Sequence, residues 1–322
     1  MRITNNMLTK NYLKSLNQSL GDLTEANTRI AVKRSYLKIS ENPTDALKAM
    51  KVRKNLSLID IYTSNLKDAQ DLVDQYETAI SNINEILKEA RAQVSQGVTG
   101  TSDVEVRKTV AGTLRSFQDA ILAAVNTQFA GDYIFGGDSV GEIPFTISQS
   151  GRLLYKGQDA DNGVFADEPR YLDIGIGLSL SAEGGIDPRS ALDISNSGVA
   201  LLGSGVDSDG IPENIYNLLG IIASKLETND IDDIGLYSDK LKAKSDDIRL
   251  KYVSAGEKTN FISYFITRLE SEKINAQNKQ VKLESIDYSK SIVEFGDMEL
   301  AYNACLQIGT KILQPSLLDF LR

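Results

Sequence analysis

Cys305 is the only thiol in the chain, and there is no histidine anywhere to take its proton. A cysteine becomes a nucleophile or a metal ligand when a nearby base or cation favours the thiolate. Histidine is the commonest residue for that task and for general acid–base work. Cys305 instead falls at helical spacing among Met298, Ala301, Ile308 and Ile312, where a free thiol behaves as a small hydrophobe. A lone cysteine also excludes an internal disulfide and a multi-cysteine zinc site. Asp159-Ala160-Asp161-Asn162-Gly163 and Asp207-Ser208-Asp209-Gly210 contain pieces of a calcium loop, but neither has its full ligand spacing or closing glutamate, so both read as acidic turns. Asn17-Gln18-Ser19 fits a glycosylation triplet, yet it lies on a predicted helix and reads as a chance match. No phosphate-binding loop, dinucleotide fingerprint or nucleophile elbow is present. The expectation is a protein without catalytic residues, metal or cofactor.

The charge distribution points the same way. A net charge of −9 disfavours a surface built for nucleic-acid phosphates. Residues 1–54 hold 11 Lys or Arg against 4 Asp or Glu, a net of +7, whereas residues 138–235 hold 5 against 17, a net of −12. No apolar run reaches the roughly 18 residues of a membrane-spanning helix. Met1 to Lys14 lacks the apolar block of a secretory leader.

The elements that carry these residues are set by proline and glycine. Four of the six prolines fall between 144 and 212, and 15 of the 24 glycines fall between Gly131 and Gly210. Both residues disfavour helix interiors, so the chain reads as helix, then a strand-and-turn insert, then helix. Leu13, Leu16, Leu20, Leu23, Ile30 and Leu37 form a narrow stripe interrupted at Asn27 and Arg34, a coiled-coil register with polar breaks. It stops at Ser40-Glu41-Asn42-Pro43-Thr44-Asp45, where Asn42 suits an N-cap and Pro43 a first helical position.

The spacing then predicts a helix over about 44–96. Ile59, Tyr62, Leu66, Ala69, Val73, Tyr76, Ile80, Ile83, Leu87, Ala90 and Val94 alternate steps of three and four without a miss. Ser102 or Asp103 caps a third helix with Val106, Val110, Leu114, Phe117, Ile121 and Val125 on one face. Short strands are expected in Gln128–Asp138, Phe145–Ile147, Arg152–Tyr155 and Tyr171–Ile174. Helix resumes near Glu213. It continues over about 232–283, with Ile248, Tyr252, Ala255, Ile262, Ile266, Leu269 and Ala276 on a face, and ends with the segment bearing Cys305.

The fold class expected is mainly α: a long antiparallel helical bundle or coiled coil built from both termini, with a small β-rich inserted domain. Three domains follow: residues 1–40 with 285–322, a terminal coiled-coil assembly domain; 41–138 with 213–284, a long helical bundle; and 139–212, an outer β-rich insert. A seam at heptad spacing is usually the core of a bundle, which suffices for Ile59 to Val94. The stripes Leu13, Leu16, Leu20, Leu23, Ile30 and Met298, Ala301, Cys305, Ile308, Ile312, with the tail Leu317, Leu318, Phe320 and Leu321, lie outside that bundle. They are candidate subunit contacts.

Several of these segments resemble known ones. Met1-Arg2-Ile3-Thr4-Asn5, the leucine stripe and Ser40 to Ala46 resemble the N-terminal region of flagellins and their relatives, with Asn42-Pro43-Thr44-Asp45 standing where that family has its proline turn. Asp132-Tyr133-Ile134-Phe135-Gly136-Gly137 and the ending Gln307 to Arg322 are similar to elements of the hook–filament junction members of that superfamily. The insert 139–212 matches nothing. The resemblance implies a structural subunit of the bacterial flagellum, exported by the flagellar type III apparatus without a cleaved signal peptide and located outside the cell. It implies self-assembly in a ring of about eleven subunits. Its partners would be a neighbouring hook-associated protein on the hook side, flagellin on the filament side and a cytoplasmic export chaperone, with no nucleic acid and no membrane insertion. Filament flagellin shares both termini and stays open as an alternative, as does a cytoplasmic coiled-coil scaffold. An enzyme using carboxylates of the acidic insert is the remaining one, for which spacing alone shows no paired geometry.

Overall fold

In the computed structural model, residues 5–99, 103–166, 169–182 and 184–312 are described. Helices α1 (Asn5–Val32), α2 (Pro43–Val98) and α3 (Val104–Val125) come first. The insert region carries strands β1 (Gln128–Phe129), β2 (Asp132–Tyr133), β3 (Phe145–Ile147), β4 (Leu153–Tyr155), β5 (Gln158–Asp159), β6 (Tyr171–Leu172) and β7 (Leu192–Asp193), then the short helix α4 (Gly198–Leu202). Helices α5 (Ile215–Glu227), α6 (Ile234–Glu284) and α7 (Tyr288–Ile312) follow. The architecture is mainly helical, with small antiparallel sheets in a middle insertion, as the residue pattern implies. The chain divides into two compact units, Ile59–Glu270 and Met1–Leu58 with Ser271–Arg322.

In the Ile59–Glu270 unit the α2 seam is buried as its spacing requires. Ile59, Leu66, Ala69, Val73, Ile80, Ile83, Leu87, Ala90 and Val94 are buried, with Tyr62 and Tyr76 half-buried. Helix α6 runs antiparallel to it, since Thr259 reaches Glu77 at 3.5 Å while Arg91 reaches Ser245 at 3.4 Å. Leu241, Ile248, Ala255, Ile262 and Leu269 recur every seven residues on the buried face of α6. Helix α3 starts at the Asp103 cap and α5 at Asn214, whose side chain accepts from the backbone N–H groups of Tyr216 and Asn217. These two helices pack side by side, and the Gln118 amide donates to the Tyr216 carbonyl at 2.7 Å.

One inward position of α3 departs from the apolar pattern. Val106 is exposed, and Arg107 is buried in its place. The Arg107 guanidinium donates to the Gly97 carbonyl at 3.2 Å and to Asn229, closing the end of α2 against the end of α5. A long polar side chain can be buried when its head group finds such acceptors.

The insert is less regular than a β domain. Its strands are two or three residues long, in sheets β3-β4-β5 and β6-β7, while β1-β2 is a separate hairpin turning at Ala130 and Gly131. The expected strand Tyr171–Ile174 ends at Leu172, because the chain bends at Gly175. There φ is +80° and a β-carbon would lie 2.6 Å from the Tyr62 ring. The inner side chains Phe135, Phe145, Leu153, Tyr155, Leu201 and Leu202 join the same hydrophobic core as the helices. Phe135 packs at a tilt against Tyr76 with ring centroids 5.3 Å apart, and burial pushes the Tyr76 phenol up to about 12.

In the other unit, α2 begins as its cap predicts. Asn42 Oδ1 accepts from the Asp45 N–H at 3.2 Å, and its carbonyl accepts from the Ala46 N–H at 3.0 Å. Helix α1 stops at Val32, so Leu37 lies in the following loop rather than on the leucine stripe. The cause is a left-handed residue, Lys33 at φ 61°, with the Lys33 N–H bonded to the Ile30 carbonyl and the Arg34 N–H to the Arg29 carbonyl. That pair of bonds closes a helix end. Arg34 then bridges Ser285, just before α7, which Asp287 caps by accepting from the Lys290 N–H at 3.2 Å.

A candidate assembly surface on the terminal helices

Helices α1 and α7 lie antiparallel. Gly309 sits against Tyr12 near one end, and Ser291 and Glu294 share a small cavity of about 160 Å³ with Asp22 and Arg29 near the other. A β-carbon at 309 would collide with the Tyr12 ring, so glycine is what lets the two helices approach there. The seam between them has a strict heptad spacing on both helices. Thr9, Tyr12, Leu16, Ser19, Leu23, Ala26 and Ile30 turn inward on α1, and Ser291, Phe295, Met298, Tyr302, Cys305 and Gly309 on α7. Apart from Gly309 these are only half-buried, because two helices alone cannot cover one another.

The expected contact residues divide around this seam. Leu16, Leu23, Ile30, Met298 and Cys305 are in it, half-buried. Leu13 and Leu20 are exposed on its flank, as are Ala301 and Ile308 on α7. The real register therefore runs through Tyr12 and Ser19 on α1 and through Phe295 and Tyr302 on α7. The Ile312 side chain and Leu317, Leu318, Phe320 and Leu321 lie outside the described residues.

The two edges of the pair differ. Asp22, Arg29 and Glu294 make one edge charged. The heptad register sets Leu13 and Leu20 on the other, together with Ile292 and Leu306 of α7, all of them exposed. The outward face of α7 continues this apolar surface: Leu300 is 70% exposed, Val293 64% and Ile292 59%. The outward face of α1 is polar, with Lys10, Lys14, Asn17 and Gln18. Reading one stripe per helix missed Ile292, Val293 and Leu300. Their signal was the second apolar repeat, Val293 and Leu300 seven residues apart and off the main stripe. An exposed apolar face of this kind is a candidate interface.

Ion pairs hold the connection from α1 to α2 and tie the end of α6 to α2. Glu284 meets Arg53 at 2.7 Å. Burial pushes its carboxyl up, but the Arg53 guanidinium, with Gln280 and Arg34, holds it below the usual carboxylate range on balance. Glu41 accepts from the N–H groups of Leu37 and Lys38 at 2.9 and 3.1 Å and pairs with Arg29 at 3.3 Å. Those backbone donors, then Arg29, hold its carboxyl low.

The acidic turns of the insert have structural partners of their own. Asp159 accepts from the Asp161 N–H at 3.0 Å, and Asp207 accepts from the Asp209 and Ile211 N–H groups and from Lys240. Among the described residues no cluster of three His, Cys, Asp or Glu could hold a metal ion, and no helix is long and apolar enough to cross a membrane.

Known proteins match this arrangement in two ways. Residues 3–139 match the family model described as the bacterial flagellin N-terminal helical region. Among solved structures, a candidate flagellar hook-associated protein of Vibrio parahaemolyticus superposes with a TM-score of 0.61 at 18% identity, covering 76% of this chain and 100% of that one. FlgL of Bacillus cereus gives 0.52 at 17% identity, covering 72% and 99%, and FlgL of Xanthomonas campestris gives 0.51 at 13%, covering 71% and 99%. No curated protein matches the chain. Residues 3–139 thus match the flagellin N-terminal helical region, and the chain has the fold seen in flagellar hook-associated proteins.

Proposed function

We propose that the chain is a structural subunit of the bacterial flagellum, and within it the adaptor that joins hook to filament. The observation that carries this reading is the apolar outward face of α7 beside the open edge at Leu13 and Leu20, on a chain with a flagellin N-terminal region. The terminal segments 1–40 and 285–322 are the assembly domain, bringing about eleven copies together in a ring. The bundle 41–138 with 213–284 stiffens each subunit, and 139–212 faces outward. The subunit leaves the cell through the flagellar type III apparatus, handed over by a cytoplasmic chaperone, and contacts a hook-associated protein on one side and flagellin on the other. Its work is packing rather than catalysis.

Immunogold labelling with a secretion assay tests it. A band at the hook tip, and secretion that needs the export gate, is the expected result. Label along whole filaments would make the chain a filament flagellin instead, and retention inside cells would make it a scaffold.

A further inference from the structure

A second surface lies within the Ile59–Glu270 unit. A groove of about 290 Å³ runs between α2, the β1-β2 hairpin and the β6-β7 pair. We propose that it binds an extended segment of another protein that presents an apolar side chain next to a lysine or arginine.

Three observations define that occupant. The walls are apolar: Leu72, Phe129, Tyr133 and Leu172 line the groove half-buried, with Ile194 buried beneath. They suit one aliphatic or aromatic anchor. Asn196 lines the same groove at 5% exposure, and its Nδ2 has no partner. A buried amide N–H needs an acceptor, and an extended backbone brings a carbonyl along with each side chain. The rim carries two exposed carboxylates, Asp68 and Asp132, with no ion pair among the described residues, against the single cation Arg170. The excess carboxylate favours a positive charge beside the anchor.

The test uses the purified full chain, so its result is independent of whether the subunit forms a hook–filament ring. Two capped, fluorescently labelled peptides are compared by polarisation, identical except for Leu-Lys or Leu-Glu at the centre. The Leu-Lys peptide is expected to bind about tenfold more tightly at low salt. The preference is expected to collapse in the double variant Asp68→Asn/Asp132→Asn. Asn196→Leu is expected to weaken both peptides about tenfold, the loss of one buried hydrogen bond. Should that variant fail to fold, the rim variant decides alone, because both of its residues are exposed. Equal binding of the two peptides, no saturable binding of either at millimolar concentration, or an unchanged preference in the rim variant would overturn the proposal. So would concentration-dependent self-association through the groove that neither peptide competes away, which would make the occupant a second copy.

Discussion

Lys33 holds a left-handed backbone at φ 61° where α1 stops. Only glycine adopts that conformation freely, and an L-residue there costs about 1–2 kcal/mol. Part of the relief on substitution is offset by the greater backbone freedom of glycine in the unfolded chain. Lys33→Gly is therefore expected to stabilise the α1 end by about 0.5–1 kcal/mol, read as slower amide exchange over Arg29–Val32. Unchanged or faster exchange would show that the loop, not the helix end, sets that stability.

Glu213 gives a pH test at the same scale. It is bonded by Lys240 and Lys244. Burial pushes its carboxyl up, and the two ammonium groups more than offset this, leaving it below the usual range. A depressed folded pKa means stability that is full above the unfolded value, near 4.3, and is lost as pH falls through the folded one. Glu213→Gln is expected to lower the melting temperature at neutral pH and to flatten its fall below about pH 4.5, where the parent chain loses the same contribution. An acid limb that keeps its slope would assign the loss to other carboxylates.

Helix α7 has two apolar faces, and they make different predictions. On the outward face Leu300 is 70% exposed, so Leu300→Asp removes little packing from the free subunit. The expected outcome is an unchanged circular dichroism spectrum and melting curve, with filament subunits lost to the medium and no motility. Motile cells with normal filaments would show that this face touches no neighbour. Met298 faces α1 half-buried, and Met298→Asp is expected to destabilise the α1–α7 pair by about 1–1.5 kcal/mol, roughly half the value of fully burying such a side chain, detected as faster hydrogen exchange in both helices. Before any substitution, α1 should already exchange faster than α2, because no described side chain of α1 is fully buried whereas the α2 seam is. Strong protection over Leu13 to Leu23 in the isolated subunit would contradict this.

For the whole molecule, the insert bears on how the chain holds together. Phe145, Leu153, Tyr155, Leu201 and Leu202 are at most 1% exposed and share one core with α2, α3 and α5. Each such side chain is worth about 1.5–3 kcal/mol, and a domain's net stability is about 5–15 kcal/mol. Replacing residues 140–210 by a flexible linker is thus expected to leave the Ile59–Glu270 unit without a cooperative unfolding transition. A soluble deletion protein that melts sharply would show that the helices hold that core alone.

The sequence by itself determined the helices, their caps and the α2 seam. The Ile59 to Val94 pattern has only one way to bury its stripe, and Asn42-Pro43 and Asp103 act on backbone groups within three residues of themselves. It also determined the absence of histidine and of a cysteine pair, and with it an expected function of packing rather than chemistry. The tertiary structure alone decided the register of the terminal pair. Tyr12 enters the seam because Gly309, far along the chain, leaves room for its ring, which turns Leu13, Leu20 and Ile308 outward. It likewise decided that Arg107 goes inside, since its acceptors at Gly97 and Asn229 come from two other elements. Local spacing records which side chains share a face. Which face meets a neighbour depends on atoms hundreds of residues away, and on how little room they leave.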